Sequence, residues 1–137
     1  MDKSIIVKVE IPGKPSFKVS RETEFLDRVR SVNVLRARED FKTYDNAGLL
    51  YFTTALAGEV GELCNLVKKI ERHKVGGPDI GHSAKLKDIT PEKLRDEIGG
   101  IFIYLDLLAA LLGVDLSVAV RETFNRVSEE ISSEYQL

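Results

Sequence analysis

Apolar residues recur at helical spacing along most of the chain and at strand spacing only near its N-terminus. Between Ser4 and Val19, apolar and polar residues alternate with the period of a half-buried strand, and a Pro-Gly-Lys-Pro sequence supplies a turn. We therefore predict an N-terminal β-hairpin arm over residues 1–19 and a helical domain over residues 20–137. One hairpin alone is marginal in water, so the arm must pack on the helices or pair with another copy.

The remaining pattern predicts four helices, because Ser, Thr and Asp residues stand where helix N-caps are expected. The predicted helices start after Ser20, near Asp45, at Thr90 and at Asp115, and the last three end near Lys74, Gly113 and Ser132. Thr90 is the clearest start, since Pro91 suits the first helical position and Glu92 suits the positive end of the helix dipole. The fold class expected is an all-α four-helix bundle.

Composition limits the possible functions. The chain has 137 residues, 43% hydrophobic and 31% charged, with a net charge of −2, which indicates one soluble domain without a strong electrostatic field. We therefore expect no nucleic-acid partner. The longest apolar run, Ile98 to Val114, is interrupted by polar residues and glycines, so we expect a core helix and no membrane partner. The charged residues Asp2 and Lys3 and the single Cys64 favour the cytoplasm.

Two acidic residues on the second helix are candidates for metal chemistry. Glu59 and Glu62 are separated by three positions, so their carboxylates project from one side of the helix and repel each other unless a cation lies between them. Both lie beside the apolar stripe predicted to run from Leu56 to Ile70. An isolated pair of this kind is more often a surface feature, and that interpretation stays open for these two residues alone.

The third helix strengthens the metal hypothesis. Glu97 lies at the edge of its predicted apolar stripe, with Tyr104 near it. If the second and third helices pack antiparallel, Glu59, Glu62 and Glu97 meet across the interface. Three acids at a core boundary are costly without a cation or a proton. A divalent ion that prefers oxygen ligands, such as Mg²⁺, removes that cost.

Three segments resemble the MazG-like all-α nucleoside-triphosphate pyrophosphohydrolases. The first runs from Ala55 to Arg72 and contains Glu59-Val60-Gly61-Glu62; the second runs from Asp96 to Ala109 and contains Glu97-Ile98-Gly99-Gly100; the third runs from Leu116 to Glu129. The resemblance covers roughly residues 40–132 and leaves the arm outside. It implies Mg²⁺-dependent hydrolysis of a nucleoside triphosphate to the monophosphate and pyrophosphate.

The resemblance also implies roles for individual residues. Glu59, Glu62 and Glu97 are expected to bind Mg²⁺, or Mn²⁺ in its place, and one of them to activate the attacking water. The expected contacts to phosphate, sugar or base are Lys69, Tyr104 and Asn125. The family's second motif ends in Asp, but this chain has Gly100 there, so the fourth acidic ligand is missing. Asp96, one turn earlier, is the candidate replacement.

Several alternatives stay open. A nucleotide-binding regulatory or structural relative without turnover is the competing function, because Gly100 supplies no ligand. A homodimer or homotetramer is expected, since one small bundle covers such a site poorly. Cys64 is interpreted as a core residue and His73 as a favourable charge at a helix end. The charged run from Arg36 to Lys42 is interpreted as an exposed face, with the border of a nucleotide pocket as the alternative.

Overall fold

The computed structural model describes residues 7–9, 17–19, 23–76 and 89–137. Its elements are strands β1 (Val7–Val9) and β2 (Phe17–Val19) and helices α1 (Thr23–Glu39), α2 (Leu49–Gly76), α3 (Pro91–Leu111) and α4 (Leu116–Glu130). The described chain is therefore all-α apart from two three-residue strands. β1 and β2 pair antiparallel, with Val7 opposite Val19. The residues that join them and the predicted cap Ser20 lie outside the described residues, so the hairpin arm stays a prediction.

The ends of the helices follow local chemistry. Thr90 has an extended backbone and its hydroxyl accepts a hydrogen bond from the Lys93 amide at 3.2 Å, which confirms the predicted N-cap of α3. The predicted cap of α2 at Asp45 was wrong. α2 begins at Leu49, and the Asp45 carboxylate instead accepts two hydrogen bonds from Arg38, at 2.6 and 3.1 Å. A guanidinium offers a carboxylate a charged, two-point partner, which a helix N-terminus does not.

The described residues form two compact units: residues 33–76 with 89–115 belong to one, and the described residues before 33 and after 115 belong to the other. The first unit contains the second half of α1 and all of α2 and α3. Its buried apolar core is small and consists of Ala37, Phe52 and Leu107. Partly buried residues pack around that core: Val34, Tyr44, Ala47, Tyr104, Leu108 and Leu111.

The apolar stripes predicted from helical spacing are only partly buried in the single chain. On α3, Ile98 is 56% exposed and Leu112 is 55% exposed, whereas the fully buried residues of this helix are Asp106, Leu107 and Ala109. The buried side of α3 is thus rotated from the predicted one, because Asp106 is drawn inward by a polar partner on α1. Exposed apolar residues also occur on α1 and α2: Phe25, Val32, Leu35, Val60 and Val67.

The described helices were also compared with the requirements for crossing a membrane. No single one is long and apolar enough to do so, and α3 and α4 satisfy the length and composition required only when they are taken together.

Candidate acidic site between α2 and α3

The antiparallel register of α2 and α3 brings the predicted acidic residues together. Phe52 and Leu107 share the core cluster, Glu59 lies against Gly100, and Glu62 is hydrogen-bonded to Glu97. Each step toward the C-terminus of α2 is thus matched by an equal step toward the N-terminus of α3. Since a residue in a helix rises by about 1.5 Å, the Glu59 level lies about 10 Å from the Phe52 level. The three glutamates occupy one section of the interface, as antiparallel packing required.

Gly100 leaves room for the Glu59 carboxylate. A β-carbon added at Gly100 would lie 2.7 Å from Glu59 Cδ, and closer still to Oε2, so any side chain there forces Glu59 to move. The neighbouring Gly99 is different, because a β-carbon added there meets nothing within 4 Å. The space beside Gly100 is therefore filled by a carboxylate that reaches across from α2.

Glu97 is the most perturbed acid of this site. It is partly buried, and that burial is the main cause that raises its pKa above the usual value for a glutamate. The charges of Glu62 and Glu59 raise the pKa further, as do a hydrogen bond with Glu62 and the charge of Asp96. The raised pKa means that Glu97 gains a proton more readily than an ordinary glutamate does, and a cation held beside Glu59, Glu62 and Glu97 would relieve the same repulsion.

The donor set has the chemistry of a magnesium site but not yet its geometry. Carboxylate oxygens are the ligands that Mg²⁺ prefers, and Glu59, Glu62 and Glu97 are adjacent. However, within residues 23–76 and 89–137, no three His, Cys, Asp or Glu side chains are arranged to hold a metal ion. Glu59 points at Gly100, and Glu62 and Glu97 point at each other. Binding of a divalent cation requires these side chains to change rotamer.

Tyr104 lies beside this acidic site. It is partly buried, at the edge of the apolar core, and the burial raises the pKa of its phenol. Tyr51 and Glu59 raise that pKa further, whereas Arg36 lowers it. Tyr104 is therefore within electrostatic reach of both the Glu59 carboxylate and the Arg36 guanidinium. That position is compatible with the predicted contact to substrate, which stays a prediction.

The other predicted site residues are placed less favourably. Asp96 is exposed, and it acts on Glu97 through its charge. Lys69 is partly buried on α2, about 10 Å along the helix axis from Glu62. Asn125 lies on α4, in the other compact unit, where its side-chain amide donates to the Leu137 carbonyl at 3.2 Å and accepts from the Leu137 amide at 2.8 Å. Both sides of the Asn125 amide are thus used by the chain itself.

A buried polar cluster near the acidic site was missed by the sequence analysis. The Asn33 amide donates to the Ile103 carbonyl at 2.9 Å and to the Asp106 carboxylate at 3.0 Å. Asn33 is 5% exposed and Asp106 is 2% exposed. The available signal was a carboxylate in the middle of an apolar run, which requires a polar partner when it is buried.

Comparisons with known proteins give limited information. The chain is 35% identical over 80 residues to the Gene 37 protein of Mycobacterium phage L5, an alignment that covers 58% of this chain and 63% of that relative. The chain therefore spans less than two thirds of the relative's length. No family model matches the sequence. No solved structure matches it either.

Proposed function

We propose that this chain is a MazG-like, Mg²⁺-dependent nucleoside-triphosphate pyrophosphohydrolase. The observation that carries the proposal is the meeting of Glu59, Glu62 and Glu97 across the α2–α3 interface. Glu59 and Glu97 are partly buried there, and Glu62 is exposed to solvent. The likeness of segments 55–72 and 96–109 to the two motif helices of that family supports it. Products are the nucleoside monophosphate and pyrophosphate.

The glutamates act in this proposal by holding Mg²⁺ and preparing water. Bound Mg²⁺ supplies the positive charge that neutralises the phosphate oxygens. Glu62 and Glu97, whose negative charges lie close together, would hold the cation with their carboxylates. Glu59 is free to turn from Gly100 and to accept a proton from the attacking water, as a general base must. Tyr104 and Lys69 are the proposed substrate contacts within this unit.

We also propose that the active form is a homodimer or homotetramer. Ile98, Leu105 and Leu112 follow one another at intervals of seven residues on α3, and each is more than one third exposed. Heptad spacing of exposed apolar residues is typical of a helix that packs against a second helix. Light scattering after size-exclusion chromatography checks this: a mass of one chain rejects the oligomer, and a mass of two or four supports it.

Gly100 favours a second candidate function, a nucleotide-binding relative without turnover. The family acid is missing at this position, and the Glu59 carboxylate fills the space. These facts fit a chain that binds nucleotide through the remaining acids but activates water only poorly. The two candidates differ only in turnover, so the same experiment separates them.

The test is pyrophosphate release from a panel of standard and modified nucleoside triphosphates with Mg²⁺. Wild type is compared with Glu97→Gln and with Glu71→Gln, a control on α2 whose exposed carboxylate pairs with Lys74. The proposal predicts release by wild type, a loss on the order of 100-fold in Glu97→Gln, and no change in Glu71→Gln. Nucleotide binding without release would establish the second candidate. If neither Mg²⁺ nor any nucleotide raises the melting temperature, both are rejected.

A further inference from the structure

Two arginines on α1, two residues apart, are held in different ways. Arg38 forms a salt bridge with Asp45 at 2.6 Å and lies over the Tyr44 ring, 5.0 Å from its centroid. Arg36 is also exposed and lies over the Phe41 ring at 5.9 Å, but it forms no salt bridge within the described part of the chain. Its one side-chain hydrogen bond there is to the Asn33 amide oxygen, at 3.3 Å.

Asn33 is fixed by the interior of the protein. Both hydrogen bonds that its amide nitrogen donates are to α3, one to the Ile103 carbonyl and one to the Asp106 carboxylate. With the nitrogen committed, the amide oxygen must point the other way, toward Arg36. A buried carboxylate such as Asp106 is costly, and burying it gives little net stability. The arrangement thus orients a guanidinium that a simple surface arginine would leave free to rotate.

The oriented guanidinium is connected through Asn33 to the section of α3 that neighbours the glutamates. Asn33 is attached to α3 at Ile103, which is three residues from Gly100 and therefore about 4.5 Å further along the helix axis. The Glu59 carboxylate lies against Gly100. Tyr104 is within electrostatic reach of both side chains, since Glu59 raises its pKa and Arg36 lowers it. Arg36, which has no carboxylate partner in the described part of the chain, is thus linked through Asn33 to the part of α3 next to the acidic site.

We propose that Arg36 binds the polyphosphate chain of the substrate, and that Asn33, held by Asp106, is the residue that positions it. This rests on the proposed function and adds a contact that the acidic residues alone do not supply. A triphosphate approaching the glutamates is strongly anionic, and only part of its charge is neutralised by a divalent cation. The planar guanidinium donates two parallel hydrogen bonds to phosphate oxygens, which gives both charge and orientation.

The simpler explanation is that Arg36 only offsets the negative charge of the glutamates. The two explanations differ in what happens when the charge is removed. A general electrostatic role is shared by Arg38, which carries the same charge two residues away. A specific contact is lost only with Arg36. Arg36→Gln and Arg38→Gln change the net charge equally, so they form a matched pair.

The test measures binding of inorganic tripolyphosphate with Mg²⁺ by calorimetry, which removes any dependence on the base and sugar. We expect Arg36→Gln to weaken binding about tenfold or more, as loss of a hydrogen bond to a charged group does, and Arg38→Gln to change it less than about twofold. Any of three results overturns the inference: both variants weaken binding equally, Arg36→Gln does not weaken it, or the wild type does not bind tripolyphosphate. Arg36 is exposed, so the melting temperature of Arg36→Gln should stay near that of wild type.

A double-mutant cycle tests the positioning role of Asn33. Asn33→Ser should weaken tripolyphosphate binding in the wild-type background and have no further effect in Arg36→Gln, because both changes remove the same contact. Independent, additive losses would overturn that role. Pyrophosphate release from nucleotides separates this inference from the proposed function. If Arg36→Gln releases pyrophosphate at the normal rate and with a normal KM, only the arginine contact is rejected. If tripolyphosphate binding depends on Arg36 but no nucleotide releases pyrophosphate, only the hydrolysis is rejected.

Discussion

Two sections of the same interface between α2 and α3 differ sharply in chemistry. At one level Phe52 and Leu107 pack in the core, with 1% and 4% of their surfaces exposed. Two helical turns away, Glu59 lies against a glycine and the charge of Glu62 acts on Glu97. The first section holds the helices together, while the second places like charges where repulsion opposes packing. Such a pairing is typical of a functional site supported by a rigid neighbour.

The apolar section should carry most of the stability of this unit. Phe52→Ala removes a ring buried against α1 and α3 and leaves a cavity, so we expect the free energy of unfolding to fall by about 3–5 kcal/mol. Leu50→Ala is the control, since Leu50 is 80% exposed and two residues away on α2, and it should change stability by less than about 0.5 kcal/mol. Urea denaturation measures both. Similar losses in the two variants would contradict the assignment of the core.

The two adjacent glycines of α3 test the packing of the acidic section, with a smaller expected change in stability. Gly99→Ala should raise the free energy of unfolding by about 1 kcal/mol, because alanine is the better helix former and the added methyl group meets nothing. Gly100→Ala should gain less or lose stability, because the methyl group displaces the Glu59 carboxylate. Equal gains in denaturation experiments would show that Glu59 does not occupy this space.

Aspartate at the same two positions tests the missing ligand. Gly100→Asp places an acid where the MazG-like enzymes carry one and moves Glu59 from the glycine, so the proposed function predicts that pyrophosphate release with Mg²⁺ rises. Gly99→Asp adds the same charge on the neighbouring position and should leave the rate unchanged. A rate that does not respond to Gly100→Asp would indicate that Glu59 or Asp96 already supplies the fourth oxygen ligand.

Acid titration gives the smallest expected effect. Because the fold raises the pKa of Glu97, the native state binds more protons than the unfolded chain between the ordinary glutamate pKa of about 4.3 and the raised value. The contribution of Glu97 to stability therefore falls as pH rises through that window. Melting curves of Glu97→Gln should show a stability advantage over wild type that grows with pH and shrinks when Mg²⁺ is added. An advantage independent of pH would contradict the cause assigned to the shift.

The sequence was sufficient for features that depend on nearby residues. The cap at Thr90 and the positions of Glu59 and Glu62 follow from spacing along one helix. The meeting of these acids with Glu97 required only the antiparallel packing of α2 and α3. Their role as ligands of a metal ion remains a prediction.

Features that depend on distant residues were not predictable in the same way. Asn33 and Asp106 are 73 positions apart, and nothing in the spacing of either helix pairs them. The rotated buried side of α3 follows from that contact. Asp45 failed as a cap because Arg38, on the preceding helix, offers it a stronger partner. Helical periodicity predicts which residues share a face but not what that face contacts.

The most direct test of the central claim is a crystal structure grown with Mn²⁺, with the ion located by anomalous diffraction. We predict a peak between α2 and α3, bound by oxygens of Glu59, Glu62 and Glu97, with Glu59 turned away from Gly100 and the Glu62–Glu97 hydrogen bond broken. A structure at saturating Mn²⁺ in which Glu62 and Glu97 still contact each other, with no peak within reach of the three carboxylates, would contradict it.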